Sequence, residues 1–543
     1  MTQDHHQLGE EFIRLAFAIE EYMPGYVDAY YGPEEWQVEA KQDGKLPLQN
    51  LTERTAQLAN KISLADSLDA QRKDFLARQV RAMQMSLRLL SGENIPLAEE
   101  VNALYDVHPV WVDEANFEQA HKELDHLLPP GDSLAERKQA WDRSLEIPVE
   151  KAKELLPSVI KRLQELTRRK FNLPDGEDFT LAFVSDQPWM AYNRYLGGFQ
   201  SRIEINTDLP QRVNELALTI AHEGYPGHHT ELSIKEQELV RRKGYLEHTL
   251  ALINAPSCVV SEGIATSALE TALTDDELRD WYREELLPRA GMPHIDAARM
   301  VDIDHATKKL KGILGNASFM LYDQHKSVEQ VEEYLRKYTL AAEKEIEHLV
   351  RFVSDPLSRS YVFTYNMGYD LLEGLFAHGD HDTYFKRLLE DGCLSWDERE
   401  GLRKLAVAVS WEDRFKGVLP DVLQGKRVVV VEVTDPAAPL IVGQTEILAN
   451  PVEQVAVIGN RAYARRDYDG ALQQSEKFRE YLLDPGGVCH HGFAYPSDTG
   501  DHVWDGSLRI DKGLELAGDL EAFYAYRSYF SYLPQPGFGA RGL

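Results

Sequence analysis

Three histidines and a glutamate fall within eight positions of "TIAHEGYPGHHTE", residues 219 to 231. Neutral imidazoles and carboxylates are the ligands and general bases of hydrolytic metal centres. A helix that grips a metal through two histidines carries them four apart, with a glutamate directly after the first. Here His222 and Glu223 are in place, but the fourth residue on is Pro226.

Helix geometry says what that proline must do. An unbroken helix advances about 100° and about 1.5 Å per residue, so His228 would face roughly 120° away from His222, and His229 would lie about 10 Å further along the axis. Neither could then share a zinc ion with His222 at nitrogen–metal distances of about 2.0 to 2.1 Å. Pro226 lacks the amide that would bond to the carbonyl of His222, and its ring clashes with that carbonyl. Gly227 removes the steric limits on the backbone, and Gly224 loosens the turn before. If two residues bulge out, His228 takes the place of the second ligand; if three do, His229 takes it. His228 is the expected ligand, with His229 a supporting or substrate-contacting group. A plain helix stop bearing surface histidines is the competing reading.

A catalytic zinc site usually has three protein ligands and an open position. In "CVVSEGIATSALETAL", 258 to 273, Glu262 shares a mostly apolar helical stripe with Ala265, Leu269 and Leu273. A carboxylate there is costly to bury unless it is paired or metal-bound. Glu262 is the expected third ligand and Glu270 the alternative, although a carboxylate in a first turn also simply suits the helix dipole. Glu223 adjoins a ligand and is the expected general base, taking a proton from the attacking water and delivering it to the leaving amine. The oxyanion needs a donor besides the metal. "RSYVFTYNMGYDLLEGLF", 359 to 376, lines up Tyr361, Tyr365 and Tyr369, a stripe that equally suits core packing. Tyr365 is the choice, because the adjoining Asn366 and Gly368 suggest a polar environment of close approach. Zinc suits this ligand set, and cobalt or manganese could occupy it.

These groups need elements to hold them. A helix starting at Pro210 behind the cap Asp208 carries the stripe Val213, Leu216, Ala217 and Ile220 up to His222. Just before it, residues 197 to 206 alternate apolar with polar, the period of a strand with one polar face. As an edge strand it could pair with an extended peptide, with Arg202, Asn206 and His229 as substrate contacts. Helical periodicity dominates from residue 6 to about 415, as in "LAEEVNALYDVH" and "VEQVEEYLRKYTLAAEKEIEHLVRFV", broken by loops such as "PPGD" and "LPDGED". Near Pro420 "RVVVVEV", "PLIVG" and "VEQVAVIGNRAYARR" read as three strands, with a Gly-Asn turn at 459 and 460. The expectation is a mainly α domain over 1–418 with a small β edge near the active site, and a β-containing extension over 419–543.

The chain has 543 residues and a formal charge of -30, from 59 Lys plus Arg against 89 Asp plus Glu. That charge repels nucleic acid and anionic membrane surfaces, and neither is an expected partner. The amino terminus lacks the basic and apolar regions of a signal peptide, and no apolar run approaches membrane-spanning length, so a cytoplasmic location is expected. Cys258, Cys393 and Cys489 are too scattered for a disulfide framework and read as reduced thiols.

"HEGYPGHHTE", with "SEG" downstream, "RIEIN" upstream, "PGYVDAYYGPEEW" near the start and "YNMGYDLL" late, resembles the bacterial "domain of unknown function 885" family of metallopeptidase-like proteins over roughly residues 8–415. The family's HExxPGH motif carries over to His222, Glu223 and His228, and its downstream acidic position to Glu262. The resemblance implies a largely helical fold with a deep cleft, similar to the thermostable zinc carboxypeptidases. "VEVTDPAAPLIVG…VAVIGNRAYA" resembles one copy of an LVIVD-type repeat, with a faint echo at 505–510, and departs from that family's outline. The expected function is zinc-dependent hydrolysis of a peptide or related amide bond. The alternatives are the same metal acting on a small-molecule amide or ester, and a metal-stabilised binding protein without catalysis.

Overall fold

A computed structural model describes residues 3–65, 68–187, 189–376 and 381–391, and strand segments between 429 and 494. The chain forms two compact units, Met1–Trp396 and Asp397–Leu543. The boundary expected at 418/419 lies outside the described residues.

The first unit is mainly α, as the periodicity requires. In the helix Val149–Lys170 the residues Leu155, Leu156, Val159 and Leu163 are buried on one face while Lys153, Glu154, Lys161, Glu165 and Arg169 are exposed on the other. Each such side chain contributes about 1.5 to 3 kcal/mol through burial. One core gathers this helix, the strand residues Ile203 and Ile205 and the helix Val213–Glu223. A second gathers the first helix, Gln3–Glu20, with Leu51, Leu76, Val80 and the strand Leu250–Leu252. The long run 328–353 is two helices, Val328–Thr339 and Glu343–Ser354, parted at Leu340, whose φ is 61°.

Three strands lie beside the histidines. Gln200–Asn206 pairs in parallel with Asp178–Val184 on one side and antiparallel with Ala191–Gly197 on the other. This corrects the expectation of a free edge at 197–206: that strand is central, its backbone groups are committed on both sides, and the edges are its two neighbours. Its polar face is also partly covered, with Glu204 and Asn206 buried as well as Ser201, Ile203 and Ile205.

The helix leading to His222 starts at Val213, three residues later than Pro210. Gln211 and Arg212 are drawn into a short antiparallel pairing with Ile147 and Glu146, and the Asp208 carboxylate accepts from the amide of Asp186. Tertiary pairing here overrides a local start signal.

In the second unit Val429–Glu432 pairs with Leu440–Gln444. The third expected strand is a hairpin, Gln454–Ile458 against Arg461–Arg465, with Ile458 opposite Arg461. It continues into Phe478–Leu483 and Cys489–Ala494 as a four-stranded antiparallel sheet. The last two strands had no signal in the sequence reading, and the echo at 505–510 lies outside the described residues. Among the described residues no helix is long and apolar enough to cross a membrane.

Candidate metal centre

The first histidine helix, Val213–Glu223, ends at Glu223, and a second, His228–Lys235, begins five residues on. Between them the amide of Gly227 donates to the carbonyl of Ala221 at 2.9 Å, a contact no continuous helix makes. A methyl group on Gly227 would lie 1.9 Å from the carbonyl oxygen of His222, so glycine is required where the chain folds back on itself. The break brings the His222 and His228 rings to 4.9 Å between centroids, nearly perpendicular.

Glu262 comes from the helix Pro256–Thr266, which begins two residues before Cys258 with proline in its first turn and gives way at Ser267. Glu262 therefore stands beyond the first turn, and helix-end electrostatics do not account for it. Opposite lies the helix Ser358–Phe376. The two cross at Gly263 and Gly368: a methyl group on Gly368 would meet the Val259 carbonyl oxygen at 2.4 Å, and one on Gly263 the Gly368 oxygen at 2.6 Å. That close crossing places the Tyr361 hydroxyl 2.6 Å from Glu262 Oε1, to which it donates.

His222, His228 and Glu262 each offer a ligand atom, all within 4.8 Å of one another. His222 Nε2 lies 3.5 Å from Glu262 Oε2 and His228 Nε2 lies 3.7 Å from Glu262 Oε1. Glu262 Oε2 is buried without a hydrogen-bond partner among the described residues. A buried carboxylate oxygen without a donor is costly, and a cation between the three residues would remove that cost. The donor set of two imidazoles and one carboxylate is also that of catalytic zinc sites, so the residues fit a metal.

The outward nitrogens are held as well. His228 Nδ1 is 3.1 Å from Ser261 Oγ, which donates to Glu231 Oε2 at 2.5 Å, and Glu231 is paired with Lys235. His222 is hydrogen-bonded to the backbone at Ala265. Such partners orient an imidazole and leave its inner nitrogen for a metal. Burial lowers the tendency of His228 to hold a proton, but the hydrogen bond with Glu231 and the carboxylates of Glu262 and Glu223 outweigh it and raise its pKa to about 9. Burial pushes the Glu223 carboxyl up to about 7, with His228 pulling it down and Glu262 adding to the rise. Burial likewise raises Glu262, against the opposing pull of His228.

His229 turns away from this centre. It is fully buried, with Nε2 2.9 Å from Glu177 Oε2 and Nδ1 2.8 Å from Ser201 Oγ, and Phe179 and Tyr225 pack against its ring. Its expected contact with substrate is thus corrected: both nitrogens are taken by the protein. Asn206 is 1% exposed and its amide donates to the carbonyls of Gln187 and Trp189, so it ties down a loop. Arg202 is exposed and pairs with Glu204. Neither is one of the three residues of the candidate metal site, His222, His228 and Glu262. Glu270 bonds to Lys308 and Tyr369, outside the triad. Tyr365 packs against Tyr361 and lies in the electrostatic field of Glu262 and Glu223, with burial the main reason its pKa is raised.

Sequence reasoning placed Tyr361 on the tyrosine stripe but preferred Tyr365, and it missed Ser261, Glu231 and Asn193, whose Nδ2 donates to the carbonyl of Glu223 at 2.6 Å. A signal existed for two of them: Ser261 adjoins Glu262 in "SEG", and Glu231 follows His228 by three, the spacing of helix neighbours. Asn193 is brought in by packing alone.

No family model matches the chain, so its resemblance to the "domain of unknown function 885" family rests on the motifs. No curated protein matches it. Among solved structures, the chain is similar to a "putative lipoprotein" from Colwellia psychrerythraea, at 15% identity and a TM-score of 0.41, over 70% of this chain and 73% of that one. It is also similar to Trypanosoma cruzi metallocarboxypeptidase 1, at 12% identity and a TM-score of 0.31, over 74% of this chain and 90% of that one.

Proposed function

We propose that this chain is a zinc-dependent hydrolase that cleaves peptide or related amide bonds, with His222, His228 and Glu262 holding the metal and Glu223 as general base. The observation that carries the proposal is the buried Glu262 carboxylate, whose unpartnered Oε2 lies 3.5 Å from His222 Nε2 and whose Oε1 lies 3.7 Å from His228 Nε2, with the outer nitrogen of His228 held by Ser261. Zinc bound there would polarise the carbonyl under attack and make water a stronger nucleophile at neutral pH.

The remaining work falls to the chain. Glu223 follows His222 at the end of its helix, where Asn193 fixes its carbonyl and the carboxylate is left to take a proton from water and pass it to the leaving nitrogen. Tyr365 is the proposed donor to the oxyanion, and Tyr361 keeps Glu262 oriented through its hydroxyl. Lys235 and Glu231 brace His228 through Ser261.

The test combines elemental analysis with turnover of a peptide library and of small amides and esters. The expected result is one zinc per chain and cleavage that a chelator abolishes. Glu223→Gln should retain the metal and lose about 10²- to 10⁴-fold in turnover. A folded protein that takes up no metal, or a Glu223→Gln variant with full activity, would overturn the proposal. Cleavage of small amides or esters and never of peptides would select the small-molecule alternative.

A further inference from the structure

The segment "PGYVDAYYGPEEW" holds a carboxylate that the metal chemistry leaves unused. Asp28 lies in the strand Val27–Tyr30, which pairs antiparallel with Leu250–Leu252. Val27 stands opposite Leu252 and Ala29 opposite Ala251, so Asp28 is the extra residue of a β-bulge. A bulge turns one side chain out of the regular alternation, and a carboxylate re-aimed in this way calls for a reason.

Its surroundings supply one. The Tyr192 hydroxyl donates to the Asp28 carboxylate and lies 3.2 Å from the Asp28 carbonyl oxygen. Tyr192 belongs to Ala191–Gly197, the same edge strand whose Asn193 holds the backbone of Glu223. The bulge and the general base are thus fastened to adjacent residues of one strand. The charge of Asp28 acts on Glu223, Glu262 and Tyr365, and His228 acts on it in turn.

Asp28 is not a further ligand of the same metal, because the triad that closes to within 4.8 Å is His222, His228 and Glu262. Nor is it neutralised as the other carboxylates of this region are. Glu231 has Lys235, and Glu177 has Arg168. Arg194, the arginine that acts on Asp28, pairs with Glu204 at 3.6 Å and lies over the Tyr192 ring at 5.2 Å. A half-buried carboxylate that keeps one neutral donor and no salt-bridge partner among the described residues is open to a cationic ligand.

We infer that Asp28 is the specificity-determining group of this centre and binds a primary ammonium group of the substrate near the carbonyl under attack. The inference rests on the proposed hydrolytic reading for the word substrate, but the recognition itself is a binding property. The ammonium has two sources, a free α-amino terminus or a lysine side chain. Tyr192 orients the carboxylate, and the unpartnered oxygen of Glu262 nearby marks the metal to which the neighbouring carbonyl would be presented.

The test is calorimetric binding to the zinc-loaded Glu223→Gln protein, which leaves Asp28 intact and prevents turnover. The probes are leucyl-leucinamide, its N-acetyl derivative, N-acetyl-lysyl-leucinamide and N-acetyl-norleucyl-leucinamide. The expected result is at least about tenfold tighter binding of one ammonium-bearing probe over its uncharged counterpart, in keeping with a charge-assisted hydrogen bond. Preference for leucyl-leucinamide assigns the α-amino terminus; preference for the lysyl probe assigns the side chain. The preference should vanish in Asp28→Asn, which keeps the shape and the bond from Tyr192, and should weaken in Tyr192→Phe, which serves if the first variant does not fold. Equal binding of charged and uncharged probes, or binding of none, overturns the inference. Cleavage at equal rates by the unaltered protein within both pairs, free against acetylated amino terminus and lysyl against norleucyl, would also overturn it while leaving the hydrolase proposal standing. Charge-selective binding without any cleavage would do the reverse.

Discussion

His229 Nε2 lies 2.9 Å from Glu177 Oε2, and both side chains are fully buried. This pair decides which of two adjacent histidines joins the candidate metal site: His229 is committed to Glu177, and His228 is left to close on His222 and Glu262.

The two positions should therefore separate in experiment. His228→Ala is expected to lose the metal by elemental analysis. His229→Ala should retain it yet lose about 1 to 3 kcal/mol of stability in urea, because Glu177 keeps Arg168 and Tyr225 but loses its imidazole partner. Loss of metal in His229→Ala with unchanged stability would reverse the assignment.

Gly368 is a second test of how the centre is assembled. Alanine there would press on the Val259 carbonyl and the Gly263 backbone, and backbone cannot move aside as a flexible side chain can. Gly368→Ala is expected to cost about 1 to 3 kcal/mol and to weaken metal affinity, since the helices bearing Tyr361 and Glu262 must part. Metal affinity equal to that of the unaltered protein would show that the crossing does not set the site.

Arg72 and Glu247 form a buried bidentate pair at 2.5 and 2.9 Å that ties the helix Ala70–Leu90 to the segment leading into Leu250–Leu252. Arg72→Met leaves a buried carboxylate unpaired and should cost about 3 to 5 kcal/mol, whereas pairing it with Glu247→Leu should recover most of that loss. Urea unfolding of the three variants checks this, and an additive double variant would contradict it.

Asp304 gives a pH dependence remote from the metal triad. Burial, partly opposed by a hydrogen bond from Asn214, pushes its carboxyl up to about 7. A folded-state pKa above the unfolded value means that the native protein binds the extra proton. The stabilisation is full below about pH 4 and is lost as pH rises through about 7. Asp304→Asn should match the unaltered protein near pH 4 and become more stable than it, by on the order of 2 kcal/mol, above pH 7. Parallel stability profiles of the two proteins from pH 4 to 8 would refute this origin.

The helical class and the break at Pro226 and Gly227 were legible because they depend on local rules, the 3.6-residue period and the missing proline amide. Glu262 was expected beside the histidines from its place on an apolar stripe, and it is buried next to His222 and His228. The start of the first histidine helix was misread, because the pairing of Gln211 and Arg212 with Glu146 and Ile147 involves residues distant in sequence. For the same reason Arg202 and Asn206 were expected at a free edge: alternation reports that a segment is a strand, not how many neighbours it has.

The sequence by itself determined the chemistry available at the centre, two imidazoles and two carboxylates around a forced helix break. Only the tertiary structure decided their partners. Which histidine turns inward, which tyrosine bonds Glu262, and why Asp28 stands at a bulge beside Tyr192 depend on helix crossings and strand pairings that join residues 52, 99 and 164 positions apart. Such contacts follow from the packing of whole faces, and no local periodicity encodes them.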